Sequence, residues 1–319
     1  METMTLGEVE ITRVLEWAGP IAPMSVLFPD LDQHPWRESD ERPGPQFWHR
    51  ATDDYLAAVQ TWVLRSEGKV VLVDTGVGNN KERSYMPAWT HRDGDFLDQL
   101  AAAGVRPEDV DLVINTHAHA DHVGWNTRLV DRTWVPTFPN ATYLIAEPDF
   151  TYWNPRNNIP KRGSVNGVSA HLANGSLFED SIDPVHRAGQ TLLWTGTTHR
   201  IDRNLTLELA PGHTPGSTVV RLGSGTDRAL FVGDLVHTPA QFTHPWCDTC
   251  LSEDQAAATR SRTRILEEAA DRRALVLPAH FPGHGAAEIT RSGSAFAVRR
   301  WAPFTDVSPE VDPAAAPSA

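Results

Sequence analysis

The segment His117-Ala118-His119-Ala120-Asp121-His122 places four metal-ligand side chains within six residues. It directly follows the apolar run Leu112-Val113-Ile114-Asn115-Thr116, so the cluster is delivered by a buried strand. Imidazole and carboxylate bind divalent cations well, and burying four such groups without a cation leaves donors and charge unpaired. The spacing therefore predicts a metal centre. Three further candidates follow apolar runs and have small, turn-forming neighbours. Residues 207–210 lead into Pro211-Gly212-His213-Thr214-Pro215-Gly216-Ser217, 229–232 into Gly233-Asp234, and 275–277 into Pro278-Ala279-His280. Glycine beside a ligand lets the backbone turn sharply and approach an ion closely. His284, in Phe281-Pro282-Gly283-His284, competes with His280, which is preferred because it directly ends its strand.

The elements that must position these groups are short and mixed. Residues 9–15 read as an opening strand, and 61–66 with 69–74 as a hairpin across Glu67-Gly68. The hairpin ends in Asp74-Thr75-Gly76. A helix is expected over 95–103, then strands over 110–115, 142–146, 205–210, 218–222, 229–232 and 275–277. Ser252-Glu253-Asp254-Gln255 has the pattern of a capping box in which Ser252 and Gln255 satisfy free backbone N–H groups. It predicts a helix to about Arg273, with Ile265 and Leu266 facing inward. Residues 19–57 are rich in proline, tryptophan and charge; Phe28, Trp36, Phe47 and Trp48 make them a packed lid or a homodimer contact. Residues 303–319 are rich in proline and alanine and are predicted to be disordered, leaving one domain over 1–302.

Composition excludes several partners. The 319 residues are 40% hydrophobic and 22% charged, ordinary for a packed α/β protein. A net charge of −13 repels phosphodiester backbones and anionic membrane surfaces, so no nucleic-acid or membrane partner is expected. The first ten residues carry three acids and no base, unlike a secretory signal, and no apolar run approaches a bilayer span. A cytoplasmic location follows as an expectation. Cys247 and Cys250, the two cysteines, form a lone C-x-x-C in a loop with Pro245 and Trp246, half of a four-ligand zinc site. A structural role is expected for them.

With its H-x-H-x-D-H signature at 117–122, G-H-T-P-G-S at 212–217, Asp74-Thr75-Gly76, Gly233-Asp234 and a terminal histidine, the chain resembles the metallo-β-lactamase-fold superfamily over about residues 60–285. The resemblance implies a four-layer αββα sandwich with two metals at one edge of its packed sheets. It assigns His117, His119 and His213 to one metal, Asp121, His122 and His280 to the other, and Asp234 to the bridge between them. Asp74 is expected to orient a ligand loop without binding metal. Two cations about 3.5–4 Å apart share a hydroxide that attacks a carbonyl or phosphoryl centre, with Asp121 as proton shuttle. Zinc is the expected ion, with manganese, iron and cobalt compatible with the same donors.

Within the superfamily, flavin-dependent di-iron members typically carry glutamate where this chain has His119, which favours hydrolysis. Residues 233–246 and 278–283 are similar to the branch of quorum-quenching lactonases and methyl-parathion-hydrolase-like enzymes, which cleave lactones, esters or phosphotriesters. The phenol that many lactonases carry shortly after the bridging aspartate is absent. His237 stands in that neighbourhood and is the candidate to polarise a substrate carbonyl or protonate a leaving group. Trp125, Phe150, Tyr152, Trp153 and Trp246 lie near the ligand motifs as pocket walls or, for most of them, core. An iron-dependent oxygenase on part of the same ligand set and a non-catalytic metal-binding module are the alternatives to a hydrolase of small molecules.

Overall fold

The computed structural model describes residues 3–32, 44–165, 167–168 and 170–304. Two sheets carry the architecture. In the first, Thr3–Leu6, Val9–Pro23, Asp54–Ser66, Lys69–Val73, Leu112–Ile114, Thr142–Ala146 and Thr191–Trp194 lie side by side in that order, with Trp48–His49 also pairing with Asp54–Ser66. In the second, Thr198–Arg200, Leu205–Leu209, Thr218–Ser224, Asp227–Gly233, Leu275–Pro278, Ala287–Ser292 and Ala295–Trp301 follow one another across the sheet.

The strand sequences explain the layering. Val71 and Val73 point into the space between the sheets, against Leu207, Val220, Phe231 and Leu277. Val70 and Leu72 point outward, where Phe96 and Leu100 of helix Phe96–Ala102 cover them. Side chains alternate along a strand, so a run apolar at every position requires cover on both faces. The second sheet is treated likewise: Val219, Leu230 and Val276 pack under Ile265 and Leu266 of helix Gln255–Arg272. The result is the helix–sheet–sheet–helix stack expected from the sequence.

Strand direction selects the functional edge. Lys69–Val73, Leu112–Ile114 and Thr142–Ala146 run parallel, as do Asp227–Gly233 and Leu275–Pro278. Their C-terminal ends release Asp74, the 117–122 cluster, Asp149, Asp234 and His280. Open α/β sheets collect ligands at these carboxyl ends because the exiting loops converge there.

Three expectations change. Residues 19–23 and 54–57 are strand, because Val9–Pro23 pairs with Asp54–Ser66 as far as Pro23 opposite Asp54. An irregularity between Pro20 and Ala22 lets the ladder absorb a proline, which cannot donate to it. Phe28, Phe47 and Trp48 are buried, whereas Trp36 lies outside the described residues. Next, Ser252 does not cap the long helix. Asp254 has the extended backbone of an N-cap and accepts from Ala257 N–H at 2.9 Å, while the Gln255 side chain donates to Thr249 O. Finally, Phe304 is buried against Trp62, so packing continues two residues beyond 302; residues 305–319 lie outside the described ones. No helix among the described residues is long and apolar enough to cross a membrane.

Candidate metal centre

Seven donors converge in two groups. His117, His119, His213 and Asp234 form one; Asp121, His122 and His280 form the other; within each group the candidate ligand atoms lie within 4.8 Å of one another. Asp234 divides its oxygens between them. Its Oδ2 lies 3.2 Å from His213 Nε2 and 3.7 Å from His117 Nε2, while Oδ1 lies 3.0 Å from His280 Nε2 and 3.2 Å from His122 Nε2. Asp121 Oδ2 reaches to 3.4 Å from His280 Nε2. His284 does not join either group: its Nδ1 is 2.6 Å from Phe304 O.

The rings are aimed by what stands behind them. His122 Nδ1 is 2.9 Å from Asp74 Oδ2, His280 Nδ1 is 2.8 Å from Ala58 O, and His213 Nδ1 is 3.2 Å from Ser252 Oγ. Donation from each Nδ1–H leaves Nε2 free to face the cluster. Asp74 itself has a left-handed backbone (φ 60°) and accepts from Thr116 N–H at 2.7 Å and Thr116 Oγ1 at 2.8 Å, so it orients ligands from behind. Glu16, which the sequence did not single out, accepts from Val77 N–H, Gly78 N–H and Trp125 Nε1, holding the turn after Asp74-Thr75-Gly76. Gly233 (φ 51°) must be glycine for a second reason: a Cβ there would lie 2.6 Å from Thr116 Oγ1.

Burial dominates the electrostatics. It holds His117 and His119 well below the ordinary histidine range, so both are neutral donors. For His122 burial works in the same direction, but the carboxylates of Asp234, Asp74 and Asp121 outweigh it and raise the ring well above that range. Burial disfavours the charge on Asp234, yet His280, His122, His237 and His117 around it hold its carboxyl well below the usual range. His117 Nε2 and His119 Nε2 are buried without a hydrogen-bond partner. The His117 nitrogen faces Asp234 Oδ2 at 3.7 Å, and His119 turns its Nδ1 to within 3.1 Å of His213 Nε2. Unpaired imidazole nitrogen beside a carboxylate fits a divalent cation, which would satisfy both.

Above the donors lies a cavity of about 160 Å³. Its wall is apolar, including Ile21, Leu27, Phe28, Met86, Trp89 and Leu251, with Tyr55, Asn174 and Thr249 as polar points. No lysine or arginine lines it among the described residues. His237 lies at its base with Nε2 3.1 Å from Asp234 Oδ2 and a buried, unpartnered Nδ1. The Tyr55 hydroxyl donates to His237 O at 2.8 Å. A phenol thus reaches the cavity from another strand, and no local spacing could have signalled it. Of the five aromatics near the ligand motifs, Trp125 is core, stacked on Phe96. Phe150, Tyr152 and Trp153 pack with Leu177 and Ile182 behind His119, and Trp246 is exposed. Cys247 and Cys250 pack with Met24 and Phe28 as buried thiols; burial pushes both up, Cys250 to about 11, and neither joins a donor group.

Residues 55–280 match the family described as the metallo-beta-lactamase superfamily. The chain is 26% identical over 188 residues to the probable metallo-hydrolase YybB of Bacillus subtilis (strain 168), covering 59% of this chain and 66% of that one. It is 30% identical over 155 residues to the N-acyl homoserine lactonase AttM of Rhizobium radiobacter, covering 46% and 49%. The chain thus spans about half to two thirds of the length of these curated relatives. Among solved structures, AidC, a dizinc quorum-quenching lactonase, aligns with a TM-score of 0.71 at 23% identity, covering 98% of this chain and 97% of that one. That likeness is one of fold.

Proposed function

Because the chain belongs to the metallo-beta-lactamase superfamily, we propose that it is a two-metal hydrolase of small, uncharged lactones, esters or phosphotriesters. The observation that carries this reading is Asp234, whose two oxygens face two separate donor groups. In this reading His117, His119 and His213 hold one ion, Asp121, His122 and His280 the other, and Asp234 links them; zinc is the proposed ion. Ions bound there would supply Lewis acidity and a water acidic enough to act as nucleophile at neutral pH.

The chain's own residues then do the rest. Asp121, at the rim of the cluster and lining the cavity, accepts and returns the proton of the attacking water. His237, facing the cavity, hydrogen-bonds the substrate's carbonyl or phosphoryl oxygen, or its leaving group. The apolar wall excludes bulk water and binds the carbon skeleton of the substrate. Among the described residues the wall offers no lysine or arginine to pair with an anionic group away from the metal positions, which supports a neutral substrate. The lactonase activities of AttM and AidC support the lactone within that class.

Metal analysis of the purified chain combined with a panel of neutral lactones, esters and phosphotriesters tests the proposal. The expected result is two divalent ions per chain, zinc foremost, with turnover of at least one of these classes. One iron per chain with oxygen consumption would replace hydrolysis by oxygenation, and a metal-loaded but inert chain would mark a binding module. His237→Asn should lower kcat about 10- to 100-fold with metal content unchanged; an unaltered kcat would return His237 to a packing role.

A further inference from the structure

Asp149 is fully buried at 0% exposure, in helix Glu147–Trp153, and the reaction above makes no use of it. Its Oδ2 accepts from Ala118 N–H at 2.8 Å and from the Thr214 hydroxyl at 2.9 Å, and its Oδ1 accepts from Gly216 N–H at 2.5 Å. These three donors belong to the two loops that carry one donor group. Ala118 sits between His117 and His119, and Thr214 follows His213. The loops come from different sheets, so the carboxylate joins them across the molecule. Where they meet, His213 Nε2 lies 3.1 Å from His119 Nδ1, a spacing that sub-ångström drift of either loop would change.

The second group has a counterpart. Asp74 accepts directly from His122 and from Thr116, whose Oγ1 lies 3.2 Å from His117 Nδ1, but it makes no hydrogen bond to His119 or His213. We propose that Asp149 is a positioning residue, a buried carboxylate brace, for the His117, His119 and His213 group alone, whereas Asp74 holds His122 directly and touches the first group only through Thr116 beside His117. The proposal rests on the two-metal reading of the site. Gly216 supports it independently: a Cβ there would lie 2.8 Å from Asp149 Cβ and Cγ, so this position must stay bare for the brace to close. The Thr214 loop is shaped around the carboxylate as much as around His213.

Outer partners of metal ligands typically set affinity by about 10- to 100-fold, which is the effect to look for. The experiment isolates each metal position in the full-length chain: His280→Ala leaves the Asp149-braced group, and His213→Ala leaves the Asp74-braced group. Zinc affinity is read by competition with a chromogenic chelator, without reference to activity. Asp149→Asn should weaken zinc about 10- to 100-fold in the His280→Ala background and leave the His213→Ala background unchanged. Gly216→Ala, pressing on the same carboxylate from the other side, should give the same one-sided pattern and decides the matter if Asp149→Asn does not fold. Equal loss in both backgrounds would make Asp149 a general scaffold residue and overturn the proposal, as would no loss in either. A wild-type chain that binds fewer than two zinc ions would instead refute the two-metal reading itself.

Discussion

At the base of the cavity, His122, His213 and His280 each have the far ring nitrogen beside a protein oxygen, Asp74, Ser252 or Ala58. Across the cavity the wall is held differently. Phe28 packs edge-on to Tyr55, and Trp89 edge-on to Trp17, with no hydrogen bond aiming either ring into the space. The wall's polar anchor lies behind it: Arg83 pairs with Asp180 at 2.7 and 2.9 Å, and Lys81 Nζ donates to Thr127 Oγ1 at 2.8 Å and Asp180 O at 3.1 Å. Directional bonds fix atoms to tenths of an ångström, which chemistry demands; packing fixes shape and volume, which selection of an apolar substrate demands. The base and the wall should therefore respond to substitution in different quantities.

The largest effect belongs to the base. Asp121→Ala and His280→Ala should each lower kcat/KM about a thousandfold or more, since Lewis-acid stabilisation is worth several kcal/mol. More than a tenth of wild-type turnover in both variants would remove the base from the chemistry. Next comes the wall's anchor. Asp180→Ala leaves Lys81 and Arg83 without their buried carboxylate and should cost about 3 kcal/mol of stability in denaturant unfolding. A loss below about 1 kcal/mol would show that packing holds that wall without the ion cluster.

Phe28→Ala or Leu251→Ala should raise KM about tenfold, leaving metal content intact and kcat within about threefold. A fall in kcat with unchanged KM would erase the division between base and wall. The smallest expected effect is a pH slope. Burial holds Lys81 down at about 7, so between pH 7 and its ordinary value of 10.5 the unfolded chain binds a proton that the folded chain does not. Stability conferred at this position must then rise with pH. Relative to Lys81→Met, the wild type should gain about 1 kcal/mol per pH unit from pH 7 to 9. A flat difference would mean that Lys81 keeps its proton.

The residues differ in how legible they were. The 117–122 cluster stands out because four ligand types fall within six residues, and His213, Asp234 and His280 share one local grammar of apolar strand, small turn, donor. Asp149 follows strand Thr142–Ala146 by three residues and obeys nearly the same grammar; that signal was present but carried no histidine beside it. Tyr55 had no such signal, since its partner His237 lies 182 residues away. Ser252 misled for a related reason. Its hydroxyl matched a local capping pattern, but its Oγ lies beside His213 Nδ1 from 39 residues upstream.

The sequence by itself determined the donor types, the strands that present them and the continuous apolar runs that require sheets covered on both faces, because each is written in spacings of a few residues. Tertiary structure alone decided that Asp234 offers one oxygen to each donor group, that His280 and not His284 faces the cluster, and that Asp149 ties two loops from different sheets. Those outcomes depend on where loops such as those of His122 and His280, 158 residues apart, come to rest. Local periodicity specifies an element and its buried face, whereas the meeting of distant loops is set by packing of the whole core.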